Sequence, residues 1–219
     1  MSTDLLVVVT VFVACAVEAV EALTIVLAVG IVRGWRSTLI GVAAASLVLL
    51  AVVAVLGPAL RVIPISALRV VVGVLLLTFG LQWLRKAVLR AAGYKALHDE
   101  QLAFAQEREL ASSAPTTSSE MDWYAFTVSF KGVLLEGLEV AFIVVGFSTS
   151  SRTLALAAGA AAAAALVVIA VGIAVRGPLA RVPENTLKFA VGVLLSSFGV
   201  FWAAEGAGAE WPGSDAAVV

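Results

Sequence analysis

The sequence predicts an all-α, polytopic membrane protein whose six transmembrane helices form two inverted three-helix repeats. Three observations carry that expectation. The 219-residue chain is 62% hydrophobic and 13% charged, against about 25% charged residues in an ordinary soluble domain, and so much apolar surface needs lipid as its solvent. Six stretches stay apolar over the ~20 residues a helix needs to cross a bilayer. The two halves of the chain also repeat one another.

The expected spans are Leu5–Val32, Thr38–Leu56, Ile65–Leu84, Trp123–Phe147, Thr153–Val175 and Thr186–Ala204. Helices are the only option offered by separate apolar segments, because each backbone amide in lipid must be satisfied inside its own segment. Turn residues fill the short connections: Arg33-Gly34-Trp35-Arg36, Gly57-Pro58 to Pro64, Ser148 to Arg152, and Gly177-Pro178 to Pro183. The N-terminus has no basic region ahead of its first apolar stretch, so that stretch reads as a retained span rather than a cleaved signal.

One connection is long and polar. Residues Tyr94 to Leu110 read as a charged amphipathic helix, and Ser112 to Ser119 as a flexible tether. The chain therefore divides into a first repeat over 1–90, a linker over 91–122, a second repeat over 123–204 and an acidic tail over 205–219. The tail holds Glu205, Glu210 and Asp215. It reads either as a solvated end or as a vestibule that collects cations.

With the N-terminus outside, the inner loops hold Arg33, Arg36, Arg85, Lys86, Arg90, Lys95, Arg108, Arg176 and Arg181, and the outer loops only Arg61 and Arg152. The positive-inside rule then puts both termini outside and the 91–122 linker in the cytoplasm of a multi-pass protein of the cell (inner) membrane.

The repeat is direct in the sequence. Val72-Gly73-Val74-Leu75-Leu76-Leu77-Thr78-Phe79-Gly80 matches Val191-Gly192-Val193-Leu194-Leu195-Ser196-Ser197-Phe198-Gly199, with Trp83 and Trp202 closing each segment. Gly57-Pro58 matches Gly177-Pro178, and Glu18-x-x-Glu21 matches Glu136-x-x-Glu139. Three spans per half is an odd number, so the second half would enter from the opposite side. Transporters use inverted repeats of this kind to hold a midplane site open to each side in turn.

The glutamates give that site its chemistry. Each pair sits near the middle of an apolar stretch, where placing one acid costs roughly 2.5–3.5 kcal/mol. Residues three apart share a helix face. If the first and fourth spans touch, Glu18, Glu21, Glu136 and Glu139 meet at one depth. Carboxylates so close cannot all be ionised without a cation or a proton among them. Their oxygens are hard donors, suited to iron, manganese, calcium or magnesium. The other reading is four hydrogen-bonded acids that hold helices together. Thr24, Cys15, Lys131, Gln82 and Ser197 are candidates for a pathway or for support of the site, with Thr78 and Ser196 beside them. Gly137 would leave room for close backbone approach.

Other classes drop out. No basic block with interleaved aromatics exists, so no nucleic-acid partner is expected. Cys15 and His98 are the sole cysteine and histidine, which excludes an intrachain disulfide and a Cys/His metal cluster. No catalytic constellation is present, and an enzyme is not expected.

The segment Leu135-Glu136-Gly137-Leu138-Glu139 resembles the Arg-Glu-Gly-Leu-Glu motif of the oxidase-coupled iron permeases, whose first and fourth transmembrane helices carry such motifs. Val17-Glu18-Ala19-Val20-Glu21 is a degenerate copy, and Leu135 and Val17 stand where that family has arginine. The resemblance implies an iron permease, with Fe2+ or Fe3+ as substrate and all four glutamates as ligands. The three-plus-three layout is also similar to the six-helix manganese/calcium–proton exchangers, which implies Mn2+ or Ca2+ instead; their Glu-x-Gly-Asp motif is missing here. Protonation of the carboxylates would couple cation release to a proton. A non-transporting scaffold or metal sensor working through the linker is the remaining alternative. Partners are the metal ion and the bilayer, and a homo-oligomer is compatible with both.

Overall fold

The computed structural model describes residues 3–60, 64–96, 99–115, 120–147, 151–175 and 184–212. His98, Thr116–Ser119 of the tether, the whole Gly177–Pro183 turn, and Asp215 lie outside them. The described residues form seven α-helices and no strand: α1 Thr3–Arg33, α2 Trp35–Leu60, α3 Ile65–Ala91, α4 Glu100–Ser113, α5 Trp123–Gly146, α6 Ser151–Val175 and α7 Glu184–Gly206.

Five of these, α1, α2, α3, α6 and α7, are long and apolar enough to cross a membrane, and they mark a membrane-embedded protein. Their outer surfaces agree: Leu47 on α2, Leu166 on α6 and Ile173 on α6 are each more than 60% exposed, as side chains facing lipid would be. The remaining long helix, α5, spans 24 residues. Its three charged residues, Lys131, Glu136 and Glu139, all fall near its middle.

Several element boundaries differ from the sequence reading, each for a local reason. A single residue, Gly34, separates α1 from α2. Its φ of +97° is strained for any side chain, and its N–H still bonds the Gly30 carbonyl at 3.1 Å. Helix α2 runs through Gly57-Pro58 to Leu60 instead of stopping there; a proline so near a helix end removes one hydrogen bond and leaves the rest intact. Helix α3 continues about two turns past Leu84 and ends before Gly93, φ +77°, where the Tyr94 N–H reaches back to the Leu89 carbonyl at 2.9 Å. The linker helix begins at Glu100 instead of Tyr94, because Asp99 is its N-cap and accepts from the N–H groups of Gln101 (2.8 Å) and Leu102 (3.2 Å).

The helices pair in a regular pattern. Helix α1 packs on α5 and α6, α5 packs on α1 and α2, and α3 packs along α7 in the most extensive contact of the molecule. Lesser contacts join α1 to α7, α3 to α5, α1 to α2 and α5 to α6. Each half thus leans on the other half more than on itself.

The α3–α7 contact is built on glycine. A Cβ at Gly80 would lie 2.6 Å from the Ser196 nitrogen and 2.9 Å from the Gly192 carbonyl. A Cβ at Gly199 would lie 2.7 Å from Leu77 Cα and 2.8 Å from the Gly73 carbonyl. Gly206 meets Ser66 and Val70 in the same way. As α3 ascends, its partners on α7 descend, so the helices are antiparallel with backbones touching. Small residues every seventh position on both helices allow it.

Candidate metal centre

The antiparallel crossing of α1 and α5 determines where the acids fall. Gly132 of α5 takes the side chain of Ile25 from α1, whose nearest carbons would lie 3.1 Å from a Cβ there. Gly132 is one turn before Glu136, on the same face, so this contact draws α5 against the acidic stripe of α1. Gly137 does something else: it faces the Leu49 side chain of α2, and the close approach expected of it serves that neighbour instead of the centre.

Three carboxylates converge. One oxygen each from Glu18, Glu136 and Glu139 can be chosen so that all lie within 4.8 Å of one another. Two ligands on opposite sides of a cation at about 2.4 Å are separated by that same distance, within the range of hard-cation–oxygen bonds. Glu18 is the deepest, 1% exposed, and its Oε1 has no hydrogen-bond partner among the described residues. A buried carboxylate oxygen without a partner is costly, and the two neighbouring carboxylates make it costlier. A hard cation bound by all three would relieve both.

Glu21 does not join this triad. It lies one turn along α1 from Glu18 and is ion-paired with Lys188 of α7. The Lys188 side chain is buried, 4% exposed, and its ammonium stands 5.5 Å from the centroid of the Trp83 ring on α3. Lysine and tryptophan from two further helices thus close one side of the centre. Lys188 escaped the sequence reading because it sits in the first turns of a helix, where a lysine reads as an interfacial anchor.

The remaining candidates scatter. Thr24 is buried and donates from Oγ1 to Oε2 of Glu100 on α4 at 2.6 Å; the linker helix therefore reaches one turn beyond Glu21. Cys15 is buried in the apolar cluster with Val7, Val11, Ala14 and Leu76. Lys131, Gln82 and Ser197 do not line the centre. All three are exposed, and Ser197 spends its hydroxyl on the Val193 carbonyl at 3.0 Å. Thr78 does the same with Val74 at 2.7 Å, and Ser196 with Gly192 at 2.7 Å. The two Phe-Gly segments are packing elements: Phe198 meets Phe147 edge-on at 4.9 Å, and Phe79 meets Phe142 at 5.7 Å.

The linker is anchored at its far end. Arg33, at the end of α1, donates to the carbonyls of Ala114 (3.1 Å) and Pro115 (2.9 Å) and pairs through Nε with Asp122 at 2.8 Å. Asp122 in turn caps α5 by accepting from the Ala125 N–H at 3.0 Å. One arginine holds the exit of α4 and the start of α5 together.

No protein-family model, curated protein or solved structure matches this chain.

Proposed function

We propose that this protein is a membrane transporter of a hard metal cation, with iron as the leading cargo, acting as a permease without catalytic chemistry. The observation that carries the reading is the convergence of Glu18, Glu136 and Glu139, together with the burial of Glu18 and its unpartnered Oε1. The donors are all carboxylate oxygens, which favours iron, manganese or calcium over soft metals. The likeness of Leu135–Glu139 to the iron-permease motif adds iron to the head of that series.

On this reading α5 is the sixth span, and the halves 1–90 and 123–204 are inverted repeats joined by a cytoplasmic linker. The helix pairings support it. An in-plane two-fold axis exchanging α1 with α5, α2 with α6 and α3 with α7 turns the α1–α6 contact into α5–α2 and the α1–α7 contact into α5–α3, and both members of each pair occur. The α1–α5 and α3–α7 contacts would lie on the axis, and with them the carboxylates. Alternating access then amounts to rocking one half against the other around a fixed site.

Metal uptake into proteoliposomes tests the proposal. Wild-type protein should carry Fe2+ or Mn2+ inward down a gradient, and Glu136→Gln should reduce the rate at least about tenfold, since ligand charge sets affinity for such ions. No flux of any hard cation would refute transport, and equal flux in the variant would refute the site. Competition among Fe2+, Fe3+, Mn2+ and Ca2+ decides between an iron permease and a manganese or calcium exchanger.

A further inference from the structure

We propose that Lys188 is a tethered counter-cation that withholds Glu21 from the metal centre, keeping the cargo site at three carboxylates so that the ion can leave. The inference rests on the transport reading and departs from the four equivalent glutamates that the sequence suggests.

The geometry points one way. Glu18 and Glu21 are three residues apart on α1, so their side chains share a face, and nothing in the helix itself separates Glu21 from the triad. What separates it is Lys188. The ammonium is buried, paired with Glu21, and backed by the ring of Trp83, itself 2% exposed. A buried ammonium is stable only while paired, and the Trp83 ring adds attraction. The pair is therefore held firmly, and Glu21 is charge-satisfied before any cargo arrives.

The consequence concerns release. A transport site must bind its ion strongly enough to admit it and weakly enough to let it go. Affinity for hard cations climbs with the number of charged oxygens in the site. A fourth carboxylate one turn from Glu18 would turn a carrier into a trap. Lys188 prevents this without deleting Glu21, because its own burial needs the carboxylate.

The experiment measures Mn2+ affinity by equilibrium binding to purified protein, and Mn2+ flux in proteoliposomes, for wild type, Lys188→Gln and Glu21→Gln/Lys188→Gln. Lys188→Gln releases Glu21 and should tighten Mn2+ binding roughly tenfold or more while slowing flux. The double variant leaves neither charge unpaired and should fold as the wild type does; its Mn2+ affinity should stay within about threefold of wild type, since Glu21 is not a ligand there. Unchanged or weaker binding in Lys188→Gln overturns the proposal. So does a tenfold weaker double variant, which would make Glu21 a ligand already, and that arm decides even if Lys188→Gln fails to fold. A wild type that neither binds nor moves Mn2+, Fe2+ or Ca2+ would instead remove the transport reading beneath it.

Discussion

Replacing Gly80 with alanine tests whether backbone contact between α3 and α7 holds the two halves together. The new Cβ would sit 2.6 Å from the Ser196 nitrogen, about 0.8 Å short of ordinary van der Waals separation. A backbone nitrogen in mid-helix cannot swing aside as a side-chain end would, so α3 and α7 must part. Overpacking of this kind costs about 1–3 kcal/mol, while alanine recovers up to about 1 kcal/mol of helix propensity over glycine. The propensity gain is removed by comparison with Gly159→Ala on α6, where a Cβ meets nothing within 4 Å. The difference between the two variants should be about 1–3 kcal/mol, with Gly80→Ala the less stable. Thermal unfolding in one detergent, followed by loss of the monodisperse peak in size-exclusion chromatography, ranks them. Gly80→Leu should fail to assemble. Equal stability of Gly80→Ala and Gly159→Ala would refute the close-packed crossing.

Two further predictions concern the linker. Thr24→Val keeps the shape of the side chain and removes the hydrogen bond to Glu100, worth about 1.5–3 kcal/mol for a charged acceptor; amide exchange across α4 should accelerate at least about tenfold, with the amides of α7 unchanged, and an unaltered α4 would show that the contact does not hold it. Arg33→Gln breaks the half-buried pair with Asp122, at a cost between the ~1 kcal/mol of an exposed pair and the ~3 kcal/mol of a buried one; hydrogen exchange should rise at Asp122 to Phe126, and protection there equal to wild type would remove Arg33 as the anchor.

Much of this was readable from the chain, because lipid leaves little freedom. The apolar stretches could only become helices, and their ends moved by a few residues where Gly34, Gly93 and Asp99 imposed local geometry. The acids were legible because each lies in the wrong solvent for its charge. What the sequence could not give was direction around a helix. Gln82, Thr78 and Ser197 are polar, yet each satisfies itself locally or faces outward, and composition does not separate a lining residue from one that bonds its own helix. Gly137 stood beside the acids in sequence but serves α2, whereas Gly132, one turn away, brings α1 and α5 together. Contacts between distant segments, such as Lys188 with Glu21 or Thr24 with Glu100, leave no periodic trace at all.

The repeat offers a final argument about Lys188. The offset that aligns Gly73 with Gly192 aligns Arg69 with Lys188. Both halves thus place a cation at the same position of their third helix. By the symmetry of the proposed inverted repeats, Arg69 would face Glu139 as Lys188 faces Glu21. It pairs instead with Glu205 of α7, at 3.0 Å. Glu139 is thereby left for the triad with Glu18 and Glu136, and Glu21 is withdrawn from it. On the proposed reading, a symmetric scaffold with two four-residue acidic motifs would become an asymmetric site through the choice of partner for two matched cations. If that choice sets which glutamates receive cargo, removing Glu205 should redirect Arg69. Glu205→Gln frees a guanidinium on α3, and its only matched acid is Glu139. Mn2+ affinity should then fall in Glu205→Gln although Glu205 itself lies outside the triad, and binding equal to wild type would show that partner choice at Arg69 has no bearing on the centre.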